Sequence, residues 1–349
     1  MLQKYSLYDE SEMNQWDKFV ESHPGGSSFH LSSWLKAIYE TYSFEPLLYV
    51  EKNASDEICG LIPLFLIRTP FFGTRIVSLP FSDYGGPLCK SKMEEEKLME
   101  EIIERHRDQV RYVEIRGPLS QKCNCACHDF YKQHVLTLLP EPPQVIKKID
   151  KRTIQYSIRR AQKSGVQIRE GNSQRDLEEF YRLNRLTRRK HGVPSQSLKF
   201  FENLLKNVVL SDRGYILLAF YDSKTVAGAF FLKFKETVIY KYNASDPDYL
   251  RSVTPNHLLT WHAIEGACLK GYRFFDFGRT SPDNVGLMRY KEMWGAKALD
   301  LPYYYYPRVK GATSKEGSGL SYRIYTRIWR SLPDTLVEFL GPKIIKYTA

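Results

Sequence analysis

A lysine within Arg289-Tyr290-Lys291-Glu292-Met293-Trp294-Gly295 is the first residue that offers a chemistry. The segment reads as a short helix closed by glycine and entered from a loop holding Asp283, Asn284 and Gly286. An ammonium there can bind a phosphate, or steady the oxyanion that forms when an amine attacks a carbonyl. Its ordinary alternative is a solvated helix lysine. Upstream, the strand Arg273-Phe274-Phe275-Asp276-Phe277-Gly278-Arg279 sets one carboxylate among phenylalanines. Alternation puts Phe275 and Phe277 on one face and Phe274 and Asp276 on the other. Asp276 is then either a base with a raised pKa or half of a buried ion pair. Arg279, beside Gly278, can clamp a carboxylate or phosphate with two parallel hydrogen bonds, or close a salt bridge within its own loop. The sequence assembles no Ser-His-Asp or Cys-His arrangement, so direct attack by a substrate amine is favoured over a covalent intermediate. Lys291 and Asp276 are the catalytic candidates.

Residues 147–169 are strongly basic, with Lys147, Lys148, Lys151, Arg152, Arg159, Arg160, Lys163 and Arg169 set against Asp150. On a helix over 151–164, Arg152, Arg159 and Lys163 share a face with Tyr156. That is a stripe able to meet phosphates, or else a solvated face. Arg188-Arg189-Lys190-His191 ends a second helix just before Gly192, where cations also suit the negative helix end. Arg189 and His191 join Arg279, Arg152, Arg159, Arg160 and Lys163 as substrate-binding candidates. Tyr242 and Asn243, ahead of Ser245-Asp246, and Asp83 and Tyr84 in the first half complete that set. Cys123-x-Cys125-x-Cys127-His128 lacks the spacing and second pair of a structural zinc site, so no metal is expected. His23 and His30 read as packing residues. Of Tyr303 to Tyr306, two are expected to face a groove and two to face solvent.

The elements that position these residues occur twice. Residues 47–66 and 216–235 are each strand, polar turn, strand, with Gly60 matching Gly228. A third strand follows and leads to Ser82-Asp83 in one copy and Ser245-Asp246 in the other. Then come a helical stretch and a last strand, RYVEIRG at 111–117 against YRFFDFGR at 272–279, where Glu114 matches Asp276. Helices precede each copy, at 11–22 and 31–42 and again at 173–190 and 197–209. A period near 163 residues is too long for a solenoid and indicates a duplicated domain. Helices, an antiparallel meander, a helix and a further strand give an α/β (α+β) class with mixed sheets flanked by helices. Pro140, Pro142 and Pro143 suggest domains at 1–145 and 146–310. A strand at 299–306 and helices at 320–331 and 334–347 follow, the last two forming a tail at 311–349.

Composition agrees with this plan. The 349 residues are 42% hydrophobic and 26% charged, which excludes disordered, collagen-like and disulfide-scaffold chains. Lys and Arg number 51 against 40 Asp and Glu, a net charge of +11 that favours anionic partners. The longest apolar run, 58–67, is broken by Pro63 and falls short of the ~20 residues of a spanning helix. With no apolar leader, the expected place is the cytoplasm, with reduced thiols.

HPGGSSFHLSSW (23–34), RIVSLPFSDYGGPL (75–88), SIRRAQKSGVQIR (157–169), NHLLTWHAIEGACLKGYRFFDFGRTS (256–281) and GLMRYKEMWGA (286–296) resemble, in order, the FemABX family of tandem acetyltransferase-like (GNAT) domains. The tail IWRSLPDTLVEFLGPKIIKY (328–347) resembles a subgroup associated with exopolysaccharide and exosortase systems. The resemblance implies acyl transfer, often from aminoacyl-tRNA, onto an amine of a cell-wall precursor. It also implies a catalytic or substrate-holding role for Lys291. Acetyl-CoA enzymes of this fold cradle pyrophosphate on a glycine loop at the helix start near 251–256. Here Thr254 is a plausible N-cap and Pro255 a first-turn residue, but the glycines are missing. Thr254 and Asn256 are the cofactor-contacting candidates, no tightly bound cofactor is expected, and coenzyme A is disfavoured as donor against aminoacyl-tRNA. The expected acceptor is an anionic, lipid-linked envelope precursor at the inner face of the membrane, which the tail helices could touch. The competing readings are a coenzyme A-dependent N-acetyltransferase and a non-catalytic binder of nucleic acid or another polyanion.

Overall fold

The computed structural model describes residues 2–69, 73–120, 126–307 and 320–347. The chain forms two compact units. The first runs to Tyr131 and regains the chain at Asp300; the second holds Lys132–Leu299 and the C-terminal helices.

In the first unit, β1 (Leu2–Tyr5) is followed by α1 (Glu10–Ser22), capped by the Asp9 carboxylate on the Glu12 N–H, and α2 (Ser32–Tyr42). The hairpin β2 (Glu45–Lys52) and β3 (Ile58–Thr69) follows, then β4 (Gly73–Ser78) and β5 (Leu88–Cys89). A helix, α3 (Lys92–His106), leads to β6 (Tyr112–Arg116). β3 is buried along most of its length because strands pair on both its sides. β6 lies parallel to β4, as a strand returning through a helix must.

The second unit takes the described end of β7 (Ala126–Thr137), then α4 (Pro142–Ile146). A π-turn at Lys151–Gln155 opens α5 (Tyr156–Lys163). β8 (Gln167–Gly171), α6 (Gln174–His191) and α7 (Leu198–Leu204) follow. The meander β9 (Gly214–Tyr221), β10 (Lys224–Phe234) and β11 (Thr237–Ser245) precedes α8 (Pro255–Leu269), β12 (Phe274–Thr280) and α9 (Val285–Met293). Its strand order is β7-β12-β11-β10-β9-β8. One sheet face packs Phe231, Phe275 and Phe277 under α5 and α8. On the other, Phe180, Phe200, Phe201 and Phe230 interlock, with ring centroids 4.8–5.7 Å apart.

β13 (Lys297–Tyr306) then enters the first unit, where Tyr303–Tyr306 pair antiparallel with Val113–Arg116 of β6. Its tyrosines alternate, but neither pair faces solvent as expected. Tyr304 and Tyr306 join the Ile76, Ile102 and Val113 core, while Tyr303 and Tyr305 pack with Tyr131, Tyr84 and Tyr112. Last come α10 (Leu320–Ser331) and α11 (Asp334–Tyr347), close to the expected helices.

Candidate functional site

The geometry of the site starts at an irregularity in β12. Asp276 stands opposite Val135 of β7 and Arg279 opposite Gln133, so β12 carries one residue more than its partner. This bulge is taken up at Gly278, whose φ of +72° costs a glycine nothing and an L side chain ~1–2 kcal/mol. The Gly278 N–H donates to the Asp276 carboxylate at 2.7 Å, and Gln133 Nε2 donates to its other oxygen at 2.6 Å. Asp276 is 1% exposed.

Lys291 reaches the same turn from the other side. On α9, whose start is capped by the Asn284 side chain on the Leu287 N–H, it is the one buried residue, at 6% exposure. Its ammonium donates to the carbonyls of Gly278 at 2.8 Å and Arg279 at 3.1 Å. The two catalytic candidates therefore meet on one residue, Gly278, the carboxylate on its N–H and the ammonium on its C=O. A charge held by two carbonyls away from water is a preorganised source of positive potential. Sequence reasoning missed two neighbours, Gln133 and His134, because β7 was not read as a strand. The short apolar run Val135-Leu136-Thr137-Leu138-Leu139, ended by Pro140, could have found it. His134 is fully buried, and neither ring nitrogen finds a well-formed hydrogen bond among the described residues. Burial, and then the nearby Lys291 charge, push its pKa down to about 4, against a weak opposing pull from the Lys132 backbone.

Next to this turn the sheet opens. β11 and β12 pair in parallel over Thr237–Ile239 and Phe274–Asp276. Beyond those residues β11 continues with β10 and β12 with β7. The diverging ends are lined by Tyr240, 6.2 Å from the Phe277 ring, and by α8 and α9. His257 of α8 stacks 6.4 Å from Trp294 and meets Tyr290 at 5.8 Å. Burial raises the Tyr240 and Tyr290 phenols, so both remain protonated donors.

α8 begins differently from expectation. Thr254 occupies the N-cap position but caps nothing: its backbone is left-handed, φ +48°, and its hydroxyl donates to the Ser157 carbonyl of α5 at 2.8 Å. With its backbone left-handed, Thr254 does not bring its oxygen to a first-turn N–H, and α8 has no side-chain cap there. Asn256 Nδ2 instead reaches Ser245 Oγ at 3.3 Å. The Ser157 bond ties that helix start to the basic helix. Arg152, Tyr156, Arg159, Arg160 and Lys163 are all exposed along it, while Ile154, Ile158 and Ala161 bury the opposite side. The π-turn inserts one residue into the helical spacing, so Arg152 stands over Arg160 rather than Arg159.

The remaining candidates lie elsewhere. A register shift at Phe230/Phe231 turns Tyr242 to the far face of the sheet, 5.9 and 5.5 Å from the Phe200 and Phe201 rings, and leaves Asn243 exposed. Arg189 Nη2 donates to the Leu332 carbonyl at 3.4 Å, and the His191 carbonyl accepts from Arg330, so both serve the C-terminal helices. Burial, then Arg188, Lys190 and Arg330, depress the His191 pKa. In the first unit the Asp83 carbonyl accepts from Tyr303 at 2.6 Å, and Tyr84 packs edge-on against Phe29. There Glu114, the counterpart of Asp276, pairs with Arg116 at 2.7 Å, and Arg116 also binds the Leu79 and Ser82 carbonyls. The corresponding place in the first unit is thus filled by its own side chains. Cys123 and Cys125 lie outside the described residues, as do the side chains of Cys127 and His128.

Residues 150–292 match the model of an acetyltransferase (GNAT) domain. No curated protein matches the chain. Among solved structures it is similar to FemX, with a TM-score of 0.67 at 14% identity, over 87% of this chain and 96% of that one. L-PGS from Bacillus licheniformis follows at 0.56 and 11%, over 95% and 96%. A tandem GNAT protein from the clavulanic acid biosynthesis pathway gives 0.53 and 10%, over 87% and 97%. At such identities the likeness is one of fold, and it bears out the tandem acetyltransferase-like architecture read from the sequence.

Proposed function

We propose that this chain, a transferase by its acetyltransferase domain and its Fem-type, GNAT-like fold, moves an aminoacyl or acyl group onto an amine of an anionic cell-envelope precursor. The observation that carries the reading is the meeting of Lys291 and Asp276 on Gly278, inside the acetyltransferase domain and beside the opening between β11 and β12. The neutral amine attacks the acyl carbonyl, the C–N bond forms, and the carbonyl electron pair moves to oxygen. Lys291 supplies the positive potential for that oxyanion. Collapse restores the carbonyl and breaks its bond to the donor oxygen of an aminoacyl ester, whose leaving atom takes the proton the amine gives up. Asp276 acts through Gly278, holding the turn whose carbonyls fix the ammonium. The exposed cations of α5 suit the phosphates of a tRNA end or of a diphosphate-linked precursor. Coenzyme A thioesters are the second reading, supported by the start of α8, which lacks a side-chain cap beside those cations.

The test is mass spectrometry of amine-bearing envelope precursors incubated with the protein and either charged tRNAs or acyl-coenzyme A. A mass gain dependent on one donor and cut by about 10²–10³-fold in Lys291→Ala is the expected result. Undiminished turnover in a folded Lys291→Ala protein would overturn the assignment of the lysine. No gain with either donor would overturn the transfer reading.

A further inference from the structure

The two C-terminal helices are held on the second unit by one face each. On α10, Thr326 and Trp329 are buried. Thr326 lies so close to the end of α6 that a Cβ on Gly192 would come within 2.5 Å of its carbonyl oxygen. Gly341 and Ile345 are the buried positions of α11, and Glu338 pairs with Arg185 of α6. What these contacts leave outward is apolar and cationic together. Ile324 and Ile328, four apart on α10, are 51% and 54% exposed; Leu336 and Phe339, three apart on α11, are 43% and 61% exposed. Four of the twelve exposed large hydrophobic side chains of the described residues fall on these two short helices, so they are concentrated rather than scattered. Between them stand the exposed Arg327 and Lys343, with the Lys343 ammonium 3.6 Å from the centre of the Phe339 ring. Over 320–347 five basic residues face two acidic ones, and Glu338 is turned to Arg185.

We infer that the outward faces of α10 and α11 form a docking surface for an anionic lipid bilayer. Apolar side chains enter the acyl boundary, and arginines and lysines, whose stems lie along apolar surface, keep their charges at the headgroups. A protein partner with an apolar groove would not need the cations; an acidic protein surface would not need the four exposed apolar side chains. No helix among the described residues is long and apolar enough to cross a membrane, so the contact is a surface one.

The full chain is sedimented with vesicles of phosphatidylcholine alone and of phosphatidylcholine with phosphatidylglycerol. Binding to the anionic vesicles, weakened by salt, is expected. Ile328→Asp with Phe339→Asp should lower it by about tenfold or more, with an unchanged melting temperature because both side chains are exposed. Lys343→Glu with Arg327→Glu provides the charge arm and should abolish the preference for anionic lipid. Equal binding to both vesicles, no binding, or no effect of either double variant would overturn the inference. So would a wild-type dimer in sedimentation velocity that the apolar variant makes monomeric, which would assign the face to a second copy of the chain.

Discussion

At the scale of single residues, the second unit places charge where water is excluded and organises it around one glycine. Asp276 and Lys291 were each visible as a residue type in a suggestive setting, but their meeting on Gly278 was not, because it depends on a bulge one residue long. His134 adds a measurable signature. Burial, with the Lys291 charge behind it, holds its pKa near 4, and burial does the same to His30, which bridges Ser27 and the Gly86 carbonyl. In the unfolded chain both titrate near the ordinary ~6.5. Above that value neither state binds the proton. As pH falls from 6.5 towards 4, the unfolded chain gains protons that the native one refuses, so stability drops through that window and levels off below it. The slope is up to about 1.4 kcal/mol per pH unit for each histidine. Denaturant unfolding at pH 7 and pH 5 should show the loss, and His134→Asn should flatten it by one proton's worth. Equal stability at both values would refute the assignment.

Among the elements, small departures from regularity decide what each can present. The π-turn before α5 moves Arg152 into line with Arg160, and the left-handed Thr254 gives α8 a start tied to α5 rather than capped by itself. At the other end of the unit, Gly192 closes α6 with φ +70° and lets α10 approach closely. A methyl group there meets both backbone strain and the Thr326 carbonyl, so Gly192→Ala should cost about 1–2 kcal/mol and loosen the C-terminal helices. Limited proteolysis should then cut within 320–347 faster than in the wild type. Unchanged protection would mean that the helices are held by their other contacts. Helix and strand positions were largely legible beforehand: the helices at 11–22, 31–42 and 173–190, both hairpins and the tail fall within a few residues of their places. Their 3.6- and 2-residue periods are local properties of the chain.

For the whole molecule, duplication has produced two units that use one matched position differently. Glu114 is locked in a buried pair with Arg116, while Asp276 takes the N–H of a glycine turn facing an ammonium. Glu114→Ala would leave the Arg116 guanidinium buried without its carboxylate, and unfolding free energy should fall by about 3–5 kcal/mol. Turnover per folded molecule should stay near wild type; a selective loss of turnover in a stable protein would give the first unit a part in the chemistry. The repeat, the fold class, the surplus of positive charge and the residue types of the site could all be read from the chain itself, because periodicity, spacing and composition are properties of sequence neighbours. Which strand lies beside which could not. Alternation specifies a face and not a partner, so the pairing of β7 with β12, the entry of β13 into the first unit and the turning away of Tyr242 were decided by tertiary structure. The same holds for the meeting of Lys291 and Asp276 on Gly278, since a one-residue bulge leaves no local mark beyond a glycine and takes its meaning from the strand packed against it.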